Sequence, residues 1–355
     1  MLESLEPGWW AGYLGYDLGH AVERVGRLAR EDRGLPDLAL ARFDTRLVLD
    51  DDTGTAWIEG NDPDARALLE LAAHDPLEHS AAPGCTTWVS SLDRRAFEER
   101  VGAIRELIHA GECYQVNLTR RLTAPERVDP VALFAAVCHQ NPAPHLAFVR
   151  FGDHAVISAS PERFLGWRGR LVETRPIKGT HAKAAPLQES PKDRAENVMI
   201  VDLARNDLGR VCEFGSVSTP ALCAVEAHPG LHHLVSTVRG RLRGDVGVAQ
   251  LVHATFPPAS VTGAPKPRVL EAIEELEPVR RGVYCGAVGW IDTQRGDGDL
   301  AVAIRTFTVT SAGTDLGIGG GIVADSSPAD EWAETELKAS RLLRASGARA
   351  TTSVV

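Results

Sequence analysis

At 355 residues the chain has room for two ordinary domains or one large α/β unit, and either buries a sizeable core. A composition of 44% hydrophobic, 24% charged and 6% aromatic residues excludes collagen-like, coiled-coil and wholly disordered chains. With 38 basic against 48 acidic side chains the net charge is −10, which argues against nucleic acid or an anionic membrane as a partner.

The acidic start, Met1 to Glu6, has no basic or apolar leader pattern, and no apolar run reaches the ~18 residues of a membrane span. The six cysteines form no C-x-x-C pair or metal-type spacing, so reduced thiols and a cytoplasmic location are expected. Of the basic residues only Lys178, Lys183, Lys192, Lys266 and Lys338 are lysines, a skew that codon usage explains but that draws attention to where each one falls.

In chain order, Trp9 to Tyr16 and Arg42 to Leu49 read as strands, the second stopped by the turn signal Asp52-Thr53-Gly54. Ala72 to Gly84, with two prolines, reads as a linker or excursion. Asp93 is placed as an N-cap ahead of a stripe of Phe97, Val101, Ile104 and Ile108, with Gly111 as the stop. Tyr114, Val116 and Leu118 alternate with Gln115, Asn117 and Thr119, the pattern of a half-buried strand. Further strands are expected over His154 to Ser160, Arg170 to Arg175, Val283 to Ile291, Leu300 to Val309 and Thr314 to Gly319. Helices interrupt them without a regular alternation, which favours an α+β fold.

Ser190-Pro191-Lys192-Asp193 and Ser327-Pro328-Ala329-Asp330 share one helix-start grammar: Ser as N-cap, Pro at the first helical position and Asp at the third. On the first helix Glu196 shares a face with Met199 and Leu203. On the second Glu331, Glu334 and Lys338 fall in one line. Carboxylates from two helices suit Mg²⁺, a hard ion that takes oxygen ligands, but spacing alone fits helix-end capping and a surface Glu334–Lys338 pair as well. Gly317-Ile318-Gly319-Gly320-Gly321 lacks the third glycine of a dinucleotide fingerprint and no helix start follows it; its glycines permit close backbone approach to a ligand. Pro176 to Thr180 and Thr262 to Lys266 read by themselves as ordinary turns.

Taken together and in order, Ser160-Pro161-Glu162-Arg163-Phe164, Thr174 to Thr180, Ala195 to Asp207, His232 to Ser236, Thr262 to Lys266 and Gly319 to Ser326 resemble the chorismate-utilising enzymes, a family that includes the component I subunits of anthranilate and aminodeoxychorismate synthases and the isochorismate and salicylate synthases. The resemblance is dense from Asp93 to Leu343. It implies the anthranilate synthase component I-like fold, in which two antiparallel β-sheets pack as a sandwich with a cleft, flanked by helices. Residues 1–84 correspond to a shortened N-terminal part of that fold, 85–345 to the chorismate-binding catalytic region forming one compact unit with it, and 346–355 to a flexible tail.

The resemblance also implies roles. Glu196 and Glu334 are the Mg²⁺ ligands, with Asp193 and Glu331 in support. Arg305, Tyr284 and the Gly319 backbone hold the enolpyruvyl carboxylate of chorismate. Lys338, Gly320, Gly321, Gly179, Thr180 and Thr262 line the rest of the substrate site, and His233 stands near the ring. Gln115 stands where water-adding members carry Lys, so ammonia is the implied nucleophile. Glu162 is the general acid for the C4 hydroxyl. Lys178, where anthranilate-forming members usually carry Ala, is a candidate nucleophile and points to amination at C4. No cysteine has the Gly-x-Cys-x-Gly setting of a glutaminase, so ammonia is expected from a glutamine amidotransferase subunit in a heterodimer. Amination at C2 with loss of pyruvate, as in anthranilate synthase, is the alternative, and a non-catalytic tryptophan-sensing homologue is a weaker one. In Asn141 to His145 a His ends a stretch where tryptophan-binding relatives tend to have Tyr.

Overall fold

The computed structural model describes residues 2–74, 84–85, 87–181, 183–228 and 231–348; most of the proposed 72–84 linker and the last seven residues lie outside this set. The strands are β1 (Trp9–Leu14), β2 (Leu38–Phe43), β3 (Arg46–Asp50), β4 (Thr55–Glu59), β5 (Val89–Ser90), β6 (Gln115–Ala124), β7 (His145–Phe151), β8 (His154–Ser160) and β9 (Arg163–Arg168). They continue as β10 (Leu171–Arg175), β11 (Ile177–His181), β12 (Ser218–His228), β13 (Leu231–Arg241), β14 (Gly263–Ala264), β15 (Ala287–Asp292), β16 (Asp297–Val302), β17 (Thr306–Thr310) and β18 (Gly313–Ile322). The helices are α1 (Gly19–Val22), α2 (Pro63–His74), α3 (Arg94–His109), α4 (Pro130–Gln140), α5 (Ala184–Glu189), α6 (Pro191–Gly209), α7 (Val248–Thr255), α8 (Lys266–Leu276) and α9 (Pro328–Ala345).

The strands form two large antiparallel sheets. One runs β11-β13-β10-β9-β16-β15-β1-β2 with β12 on β13; the other runs β14-β6-β18-β17-β8-β7 with β5 on β6. Tyr13 of β1, Val156 of β8, Val288 of β15 and Ala301 of β16 share an apolar cluster that joins the two sheets. A second cluster seats α4 and α9 on the smaller sheet through Leu133, Val137, Phe307, Leu316 and Leu342. The largest packs α3, α6, α7 and α8 with strands of both sheets. At ~25 cal/mol per Å² of buried apolar surface, these clusters are the main favourable term in folding.

Several sequence expectations change here. Arg42 to Leu49 is two strands, broken at Asp44 and Thr45. Leu300 to Val309 is also two, because the chain leaves the larger sheet at Val302 and enters the smaller one at Thr306, with Arg305 in a left-handed conformation at φ 52° between them. β6 is buried on both faces: Gln115 is 0% and Asn117 6% exposed, whereas Tyr114 is exposed. The Gly317 to Gly321 run and the Lys178-Gly179-Thr180 turn are strand residues of β18 and β11, and Gly263-Ala264 is the short strand β14. The face α6 buries is Asn197, Ile200, Val201, Ala204 and Leu208, one position on from the Glu196 line, which leaves Glu196 half-buried at its edge.

The Asp93 and Ser190 caps form as expected, accepting the N–H groups of Ala96 and Asp193. Ser327 makes no side-chain cap bond; its neighbour Ser326 instead accepts the Val323 N–H and donates to Glu331 Oε1 at 2.6 Å. At the end of the described chain Ser346 is buried and its carbonyl accepts the Cys85 N–H at 3.2 Å.

Candidate active site

The candidate site lies where strands pass from one sheet to the other. Between β8 and β9 the chain crosses at Pro161-Glu162, and between β16 and β17 at Ala303 to Arg305. The two corners are hydrogen-bonded to one another's neighbours: Val302 N–H donates to Glu162 O at 3.0 Å, and Ala159 N–H to Arg305 O at 3.0 Å. Glu162 and Arg305 thereby sit on adjoining, mutually braced stretches of backbone. Glu162 is 5% exposed. Burial pushes its carboxyl up to about 7, against the Ser260 hydroxyl, the Lys178 charge and the Ile177 N–H, which all favour the anion. Burial, with the nearby Arg341, draws Arg305 below its ordinary value.

The second wall is β11 against α6. Lys178 Nζ lies 3.8 Å from Glu196 Oε2, both side chains mostly buried. Gly179, at φ 74°, lets Asp193 come close: a Cβ there would stand 2.9 Å from Asp193 Cγ. Thr180 follows in the strand, paired with His233 of β13, which is buried.

The third wall is β18 against α9. Lys338 Nζ donates to Gly319 O at 2.9 Å and pairs with Glu334 Oε1 at 2.6 Å. Across the ladder the Thr119 N–H is taken by Glu277 and the Asn117 N–H by the Thr262 carbonyl. Gly319 and Gly321, opposite them, are therefore non-hydrogen-bonded pairs whose backbone groups turn away from β6. The bare Gly320 leaves a cradle: a Cβ there would be 3.4 Å from Glu331 Oε2 and 3.8 Å from Glu334 Oε1. Burial raises Glu331, opposed by the Ser326 hydroxyl bond, while Glu334, although burial works against it, is held low by Lys338, Lys192 and Lys178. Lys178 and Lys192 come from the α6 side, so the two acidic helix starts face one another with lysines between them.

Glu196, Glu331, Glu334 and Asp193 offer only carboxylate oxygens around lysine charge, a donor set that fits a hard divalent cation and lacks the nitrogen and sulfur ligands of zinc. Among the described residues the acidic or histidine group that closes to within 4.8 Å is a different one, Asp17, His20 and Glu274, in which His20 bonds Glu274 and the Asp17 carbonyl, and Asp17 Oδ2 accepts the Gly282 N–H. The Tyr284 ring packs on Gly317. Thr262 donates its hydroxyl to Pro258 O at 3.1 Å, so only its lone pairs remain for a ligand. Gln115, packed on Gly321, has both amide atoms buried with no protein partner. Sequence reasoning missed Ser260, which lies in a Pro-Pro-Ala-Ser run with no motif to mark it, and gave no role in the site to Lys192, whose charge acts on Glu331 and Glu334.

The family model described as chorismate binding enzyme matches residues 2–344. The chain belongs to the chorismate-binding enzymes. It is 42% identical over 349 residues to aminodeoxychorismate synthase component 1 of Klebsiella aerogenes, covering 94% of this chain and 76% of that protein. It is 41% identical over 345 residues to the protein of that name from Escherichia coli K12, with the same coverage. Among solved structures, anthranilate synthase component I from Streptococcus pneumoniae TIGR4 matches with a TM-score of 0.85 and 31% identity, over 96% of this chain and 81% of that one. The chain is an enzyme acting on chorismate with the anthranilate synthase component I fold.

Proposed function

We propose that the enzyme aminates chorismate at C4, yielding 4-amino-4-deoxychorismate. The observation that carries this reading is Lys178, an amine set in β11 beside Glu196 and acting electrostatically on Glu162, which burial keeps poised near 7. The Lys178 amine attacks C2 through its nitrogen lone pair. The ring's conjugated electrons shift toward C4, and the C4–O bond breaks as Glu162 gives its proton to the departing oxygen, which leaves as water. Ammonia then attacks C4, the electrons shift back, and the C2–N bond breaks to release Lys178. The enolpyruvyl group stays on the ring.

Arg305 and Tyr284, with the Gly319 backbone, orient the enolpyruvyl carboxylate, and Lys338, Gly179, Thr180, Gly320 and Gly321 line the ring-carboxylate side. Gln115 turns its unpartnered amide to the substrate, since a buried amide requires a partner. Glu196 and Glu334, supported by Glu331 and Asp193, would hold Mg²⁺, which supplies positive charge against a ring carboxylate that this −10 chain must otherwise repel.

Ammonia comes from a glutamine amidotransferase partner. Burial pushes the Cys85 and Cys212 thiols up to about 11 and Cys285 to about 12, so these are poor glutaminase nucleophiles. That two relatives are named component 1 supports a multisubunit enzyme. The similarity to anthranilate synthase component I keeps one competing outcome, C2 amination with release of pyruvate. Intact-mass measurement during turnover tests the nucleophile: a chorismate-derived lysine adduct is expected in the parent and absent in Lys178→Ala, and full product formation by Lys178→Ala contradicts the role.

A further inference from the structure

A cavity of about 30 Å³ adjoins Glu162, bounded by β9, α6 and the turn after α7, and Lys178 does not line it. Its walls are largely apolar, including Phe164, Ile200, Ala204 and Val302. Its polar groups are Glu162, Ser260, Thr174, Thr255 and Asp207. Asp207 Oδ2 accepts from Lys266 Nζ at 3.0 Å, and the same ammonium donates to Thr255 O at 3.1 Å. Asp207 and Lys266 each keep 13% side-chain exposure, whereas Glu162 keeps 5% as a residue, so the Asp207 side is nearer solvent.

The proposed reaction gives this geometry a task. Glu162 spends its proton on the C4 hydroxyl, and an amine formed at C4 leaves near neutral pH as its ammonium, so each cycle is chorismate plus ammonia plus one proton giving aminated product plus water. That proton must return to a buried carboxylate before the next cycle. A cavity of this size has room for about two waters, and its polar groups can bind them.

We propose that Asp207, held by Lys266, returns solvent protons to Glu162 through water in this cavity, with Ser260 as the last link. This rests on the reading of Glu162 as the general acid. Asp207 touches no reacting atom and is a positioning residue for the proton supply. Lys178 and Ser260 face Glu162, while Lys266 from α8, Arg210 just after α6 and Glu23 just after α1 face Asp207. Burial lifts Asp207 above the ordinary carboxylate value against the pull of Lys266 and Arg210, which suits a group that both takes and gives a proton.

The test uses the whole chain with chorismate, Mg²⁺ and a fixed concentration of free ammonia, after circular dichroism and a thermal melt show each variant folded. Asp207→Asn is expected to lower kcat about tenfold, part of the ~10²-fold a general acid contributes. KM for chorismate should change less than about twofold, the solvent deuterium isotope effect on kcat should rise, and imidazole buffer should restore part of the rate. Ala204→Val narrows the cavity without altering charge and is expected to lower kcat in the same way, which keeps the test open if Asp207→Asn does not fold. Parent-like kcat and isotope effect in the folded variants overturn the relay. Full C4 amination by Glu162→Gln would instead overturn the general-acid reading beneath it.

Discussion

The proton chemistry makes a prediction in which sign and size both come from the structure. The Ser260 hydroxyl, on the same cavity wall as Glu162, favours its anion, one of three influences opposing the burial that pushes this carboxyl up to about 7. Ser260→Ala removes that donor. A hydrogen bond to a charged group contributes roughly 1.5–3 kcal/mol, and 1.36 kcal/mol corresponds to one pKa unit. The Glu162 pKa should therefore rise by about one to two units. The basic limb of kcat/KM, which reports a general acid in the free enzyme, should move up by that amount. The profile is measured with ammonia and Mg²⁺, adjusting total ammonium at each pH to keep free ammonia constant. A basic limb that stays in place or moves to lower pH refutes the assignment of Glu162 as the acid controlled by Ser260.

Glu277 and Arg281 form a pair with side chains 4% and 2% exposed, and Arg281 also holds the Val261 and Asn117 carbonyls. Glu277→Ala leaves that cation buried alone and should cost about 3–5 kcal/mol by denaturant unfolding; a loss near zero contradicts the burial argument. Ser190→Ala should cost about 1 kcal/mol through its cap bond, while Ser327→Ala, which breaks no cap bond, should cost none. Equal losses would show that the two helix starts are alike after all. Chelation should abolish turnover reversibly, and Glu334→Gln should raise the Mg²⁺ concentration for half-maximal rate by more than about tenfold, since one of few charged oxygen ligands is lost. An unchanged Mg²⁺ requirement removes Glu334 from the ligand set.

Much of the fold was legible because local rules and burial agree. Asp93 and Ser190 cap their helices, and His154 to Ser160 is a strand to the residue. The errors collect where the sandwich overrides the local pattern. Alternation in β6 suggested a solvent face, but its polar face turns into the protein, where Gln115 and Asn117 are buried. The run through Leu300 to Val309 looked continuous because apolar residues fill both strands, and nothing local marks Arg305 as the corner between sheets.

In the site, motif resemblance singled out the candidate residues, but spacing could not say that Glu162 and Arg305 occupy adjoining crossings or that Lys178 faces Glu196. Those are properties of sheet order. Ser260 carries no sequence signature, and although Asp207 and Lys266 end two of the family-like stretches, nothing in the sequence says that they pair or that Asp207 and Ser260 border one cavity.

The most direct test of the account is the product itself. Purified protein given chorismate, ammonium and Mg²⁺ should form 4-amino-4-deoxychorismate, identified by mass and by conversion with a lyase to 4-aminobenzoate, without release of pyruvate before the lyase is added. Anthranilate accompanied by stoichiometric pyruvate, or no turnover by folded protein at saturating ammonia and Mg²⁺, contradicts it.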